Sequence, residues 1–177
     1  MLGVEHILTG YDHLAFLLGL LIVGGSLRSV LKIITSFTVA HSITLALATL
    51  GVINFSPTIT EPLIAASIIY VGLENIWRGG SDSRWLLALG FGLIHGCGFA
   101  TALKELGIGS NGSGVALPLL SFNLGVELGQ IAIAALILPM VWRLNARPSF
   151  APRLVPACSL VIAVLGGFWL VQRTLLN

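Results

Sequence analysis

The feature that most constrains this chain is a succession of long apolar runs with very little charge inside them. A helix that crosses a bilayer needs about 20 consecutive apolar residues, because each residue rises 1.5 Å and the hydrocarbon core is about 30 Å thick. Clusters of helix breakers separate the runs: Gly24-Gly25-Ser26, Asn54-Phe55-Ser56-Pro57, Gly79-Gly80-Ser81-Asp82, residues 107–114 and residues 145–152. The pattern predicts an all-α, polytopic membrane helix bundle with six transmembrane helices. Their expected ranges are residues 5–26, 31–52, 59–77, 85–105, 115–142 and 154–173. Six spans use about 120 residues, so the 177-residue chain has room for short loops only and is expected to form one domain.

Composition agrees. Hydrophobic residues make up 56% of the chain and charged residues only 9%, against about 25% charged in soluble domains. A soluble domain, a disordered chain and a nucleic-acid binder are thereby excluded, and membrane lipids are the expected surroundings. Cys97 and Cys158 fall inside apolar stretches and read as small packing residues, not as a disulfide framework. The acidic start, with Glu5 and Asp12, does not read as a cleavable signal.

Seven of the nine basic residues fall in loops on one predicted side: Arg28, Lys32, Arg78, Arg84, Arg143, Arg147 and Arg153. Only Lys104 and Arg173 fall on the other. The positive-inside rule then predicts a multi-pass protein of a bacterial-type inner (plasma) membrane, with both termini outside the cytoplasm. Trp77, Trp85 and Trp142 lie at the predicted inner interface, where indole rings prefer to sit. A weak internal echo relates Phe37-x-x-x-His41 to Phe91-x-x-x-His95, and Val71-Gly72-Leu73-Glu74 to Leu124-Gly125-Val126-Glu127. A parallel duplication and chance similarity in an apolar alphabet both account for it.

The polar residues inside the spans carry the functional information, since an ionisable group in a bilayer is costly unless paired or metal-bound. All four histidines lie at such depths. A full-length first span must reach back to about Glu5, which takes His6, Asp12 and His13 into the membrane. Gly10 is placed to break that helix. His41 and His95 fall near the midplane. Imidazoles from several helices, with a carboxylate beside them, suit a borderline divalent ion such as zinc or nickel. The competing reading is a set of core histidines hydrogen-bonded to carbonyls and carboxylates. Four at membrane depth and none in a loop favour the metal. The expected ligands are His6, Asp12, His13, His41 and His95, with Asp12 either a ligand or an orienting partner of its neighbour.

Ser42 and Thr38 flank His41 and read as packing residues, Ser42 also as a group able to touch substrate or metal-bound water. Gly90, Gly92, Gly96 and Gly98 surround His95 and allow close approach. Asn123 and Glu127 share a face of the fifth span with Gly125 and Gly129, so that face is expected to look inward. Glu127 is expected to act on the metal's ligand or substrate. Glu74 is expected either to serve as an inner stepping stone with Asn75 or to pair with Arg78 at i+4. Glu61 reads as an acid in the first turn of its helix.

The run Glu5-His6-Ile7-Leu8-Thr9-Gly10-Tyr11-Asp12-His13 resembles the His-x-x-x-Gly-x-Asp-His signature of the HupE/UreJ family of hydrogenase and urease accessory membrane proteins. The runs Phe37 to Ser42, Gly90 to Gly96 and Phe122 to Gln130 are similar to that family's later motifs, in the same order. The resemblance covers nearly the whole chain and implies a nickel-handling permease. The first run also resembles the His-x-x-x-x-Asp-His signature of nickel/cobalt permeases, with a gap of five residues in place of four. Ile7 stands where hydrogenase-type members have proline.

Two classes of function follow. A divalent-metal permease, for nickel above all, explains polar residues near the outer face, with Glu74 and Asn75 as thin inner stepping stones. An intramembrane zinc-dependent hydrolase acting on a lipid or acyl amide would use three histidines and a water, the open position being the reactive one. Asp12 or Glu127 would then be the general base, with Ser42 near the substrate. Its chemistry resembles that of adiponectin-receptor and alkaline-ceramidase enzymes, whose spaced motifs are not found here. A metal sensor or scaffold is the third reading. A homo-oligomer is expected from the small chain and its glycine-rich helices, with Gly166-Gly167 marking a contact helix.

Overall fold

The computed structural model describes residues 2–79, 83–99, 114–147 and 151–175. Among these residues the chain is all-helical: α1 Leu2–Thr9, α2 Tyr11–Leu21, α3 Leu27–Thr49, α4 Pro57–Arg78, α5 Arg84–Gly98, α6 Ala116–Asn145 and α7 Ala151–Leu175. Four of them, α3, α4, α6 and α7, are long and apolar enough to cross a membrane. The protein is therefore a multi-pass membrane protein. The other two expected spans look different. α5 is described for 15 residues, and residues 100–105 of its expected range lie outside the described residues.

The first expected span is two helices. Gly10 sits between them with φ −78° and ψ 88°, so the helical path stops for one residue and restarts at Tyr11. No larger residue fits there: a Cβ would lie 2.6 Å from the His6 carbonyl oxygen and 3.0 Å from His13 Nδ1. α2 ends at Leu21, earlier than residue 26, because Gly24 and Gly25 turn the chain with φ of 83° and 137°. α3 then begins at Leu27 because Ser26 caps it, its hydroxyl accepting from Ser29 N at 3.2 Å.

Three seams of small residues bring the helices into backbone contact, as expected where apolar side chains gain nothing by leaving lipid. Gly92 and Gly96 of α5 lie against the Phe37 and His41 carbonyls and Thr44 of α3. Gly3 of α1 meets the Phe122 carbonyl of α6, and a Cβ added to Gly125 of α6 would lie 3.1 Å from Val4 N, on the same seam. A Cβ added to Gly72 of α4 would lie 2.7 Å from the Ser159 carbonyl oxygen, and one added to Gly166 of α7 would lie 3.0 Å from Ile69 N. Gly166 is thus spent within the chain, whereas a Cβ added to Gly167 would meet nothing within 4 Å. The outer faces of α6 and α7 carry exposed Leu117, Leu136, Val164 and Phe168, a surface suited to lipid.

Inside the bundle, Phe16, Phe37, Ile68, Val71 and Ala88 form an apolar layer, and Ile7, Leu45, Phe122 and Val126 form a second. The histidines lie between them. Cys97 and Cys158 are free and half-buried.

Candidate metal centre

Gly10 is the local reason His6 and His13 come together. In one unbroken helix, His6 and His13 would be separated by a rise of about 10 Å. With the break, their rings face each other at 4.5 Å between centroids. The α1–α6 glycine seam fixes where His6 sits, and the α3–α5 seam brings His41 and His95 alongside. His41 lies 6.2 Å from both His6 and His13, and His95 lies 5.0 Å from His13, centroid to centroid. Among the described residues, His6, His13 and His41 form a tight group whose potential ligand atoms lie within 4.8 Å of one another. Burial deepens along the series: His6 is half-buried, His13 8% exposed, His95 1% and His41 0%. Phe16, Phe37, Phe99 and Phe122 pack against the rings and keep the surroundings apolar.

Two neighbours decide which ring nitrogens face inward. Asn123 donates from Nδ2 to the Leu119 carbonyl at 2.8 Å, which leaves Oδ1 facing His41 Nδ1 at 3.3 Å. An amide oxygen only accepts, so His41 carries its proton on Nδ1, and the lone pair lies on Nε2. Ser67 donates to the Ile64 carbonyl at 2.6 Å, so its oxygen accepts from His95 Nε2 at 3.0 Å. The lone pair of His95 is then on Nδ1. The nitrogens left over are His6 Nε2, both of His13, His41 Nε2 and His95 Nδ1, all buried and without a hydrogen-bond partner. Buried polar atoms are ordinarily satisfied. A cluster of unpartnered imidazole nitrogens in an apolar cage, with the lone pairs of His41 and His95 oriented by their neighbours, has the donor set a borderline divalent cation needs.

The other expected site residues lie elsewhere. Asp12 turns away and accepts from Arg173 at 2.6 Å. Arg173 also reaches Glu61, with Nε 3.8 Å from its carboxylate and Nη1 donating to its carbonyl at 3.2 Å. Glu61 is the fifth residue of α4, past the first turn, so this contact replaces the expected dipole role. Ser42 donates back to the Thr38 carbonyl at 2.6 Å. Glu127 is half-buried and accepts from Thr35 at 2.8 Å, and one turn on, Thr38 donates to Gln130 at 3.1 Å.

Glu74 does not pair with Arg78. Its partner is Arg84, the first residue of α5, with Nη2 3.4 Å from the Glu74 carboxylate and both side chains no more than 5% exposed. Arg84 also donates to Asn75, whose amide donates to the Gly19 carbonyl at 2.8 Å. Sequence reasoning placed Arg84 in an inner loop. In the structure Arg84 opens α5, and its side chain is buried beside Glu74 and Asn75. Ser67 was missed altogether; an isolated hydroxyl after Ala65-Ala66 gives no sequence signal beyond its own polarity.

The family model described as HupE / UreJ protein matches residues 1–173, a stretch that contains every histidine, Asn123 and Ser67. No curated protein and no solved structure matches the chain. A match that spans nearly the whole sequence decides membership: the chain belongs to the HupE/UreJ family.

Proposed function

We propose that this protein is a divalent-metal permease, and that the ion it carries is bound in transit by His6, His13, His41 and His95. The observation that carries this reading is the graded burial of imidazoles with unpartnered nitrogens, running from half-buried His6 through His13 to the fully buried His95 and His41. A succession of ligands at neighbouring positions lets an ion exchange one imidazole for the next without being stripped bare in the apolar interior. Nickel is the cargo the resemblance implies, and imidazole suits nickel and zinc alike. Asp12 and Glu61 line a cavity of about 360 Å³ together with Gly10 and Arg173, and because Arg173 already engages both carboxylates, the ion's arrival at this end requires that pairing to loosen. The layer of Phe16, Phe37, Ile68, Val71 and Ala88 closes the path inward, and transport requires it to part. The six-span topology with both termini outside belongs to the same proposal. Opposite-side signals from reporter fusions at Asn145 and at the C-terminus support it, and same-side signals contradict it.

A zinc-dependent hydrolase shares the arrangement of three imidazoles. It is the weaker reading because it needs a general base at the metal. Asp12 is held by Arg173, Glu127 by Thr35, and Ser42 by its own helix. Flux separates the two. In proteoliposomes, radioactive nickel or zinc is expected to accumulate with wild-type protein and to fall to the background of empty vesicles with His13→Ala. Stoichiometric metal binding without flux, together with hydrolysis of a lipid amide, would overturn the permease.

A further inference from the structure

At the end of the bundle away from the histidines, a cavity of about 670 Å³ opens between the α2–α3 turn, the end of α4 and the start of α5. Its lining includes Arg28, Lys32 and Arg84 together with Gly25 and Ser29, and no carboxylate among the described residues. Arg28 and Lys32 have no carboxylate partner among the described residues. The Lys32 ammonium instead lies 4.2 Å from the centre of the Trp85 ring. Arg84 is 4% exposed, and its Nε and Nη1 have no hydrogen-bond partner, although Nη2 is engaged by Glu74, Asn75 and the Gly19 carbonyl. The cavity also takes in the first turn of the 23-residue helix α3, where backbone amides point outward and the helix dipole favours an anion. The α2–α3 turn is braced from α6, with Trp142 donating to the Gly25 carbonyl at 2.9 Å and Asn145 to the Val23 carbonyl at 3.3 Å. The cationic wall is therefore held in shape, not merely strewn with surface arginines.

We infer that this cavity is a binding site for a phosphate-bearing anion, with the phosphodiester of an anionic phospholipid headgroup as its occupant. The group sits at the depth of the interfacial tryptophans, where headgroup phosphates lie. Two cations with no carboxylate partner among the described residues, a helix N-terminus and a buried guanidinium with free donors all favour the same charge. Lipid bound there would bridge α3 to α5, the two helices that carry His41 and His95. The inference is independent of what the histidines do.

The test uses the full-length protein in detergent and native mass spectrometry. Phosphatidylglycerol, phosphatidylcholine and inorganic phosphate are titrated separately, with thermal stability followed in parallel. One phosphatidylglycerol is expected to be retained per chain, with a raised melting temperature and little effect from phosphatidylcholine. The double variant Arg28→Gln/Lys32→Gln is expected to lose about 10- to 30-fold in affinity. Arg143→Gln/Arg147→Gln removes two cations beside a separate cavity and is expected to change affinity less than twofold. Saturation by inorganic phosphate that displaces the lipid assigns the site to free phosphate and upholds the chemistry. Equal losses in the two double variants show diffuse surface charge only and overturn the site, as does binding that survives Arg28→Gln/Lys32→Gln.

Discussion

His13→Ala is expected to abolish stoichiometric binding of nickel or zinc while the protein still folds. His13 is the one ring in close contact with both ends of the series, 4.5 Å from His6 and 5.0 Å from His95. Both its nitrogens lack partners, so removing the ring leaves no buried partner stranded. The neighbours that only orient a ring should have a graded effect. Asn123→Leu and Ser67→Ala each remove the acceptor that fixes a tautomer, and outer-shell changes of this kind cost about 10- to 100-fold in affinity. Isothermal titration with both metals checks the order. Undiminished binding by His13→Ala, or a greater loss from Ser67→Ala than from His13→Ala, would contradict the arrangement.

Glu74→Gln is expected to cost the fold heavily and the metal little. Arg84 is buried beside Glu74 and Asn75, and a charge left alone in such a place is destabilising by about 3–5 kcal/mol. Yield and melting temperature in detergent should fall together. The double variant Glu74→Leu/Arg84→Met removes both charges and should recover much of the loss, because apolar replacements of a buried pair are often tolerated. Metal bound per folded chain should stay at the wild-type level in both. If the single variant melts like wild type, the pair is not structural. If it folds but loses metal, Glu74 belongs to the ion's path and not to the scaffold.

Much of the membrane fold was legible because it follows from run length and breakers. Ser26, Pro57 and Gly79 mark real helix ends, and Gly10 marks a real break. What the break does was not legible. An amphipathic face can be read from spacing, but the facing of His6 and His13 across Gly10 depends on a backbone angle and on the α1–α6 seam. The histidine cluster could be anticipated from depth alone, since four imidazoles in a bilayer have few other uses. Their orientation could not, because Ser67 and Asn123 are ordinary polar residues until they are placed beside His95 and His41. Charge partners were read least well. Local spacing suggested Glu74 with Arg78 and Asp12 with His13. The structure instead pairs Glu74 of α4 with Arg84 of α5 and Asp12 with Arg173, 161 residues away. Long-range pairs leave no periodic trace in one sequence.

The central claim is that a divalent cation is held by these imidazoles, and X-ray absorption at the metal edge tests it most directly. Purified protein loaded with zinc or nickel is expected to give a first shell dominated by three or four imidazole nitrogens, at about 2.0–2.1 Å for zinc. His13→Ala should lose that signature. A shell of oxygens without imidazole scattering, or a wild-type signature that persists in His13→Ala, would contradict the account.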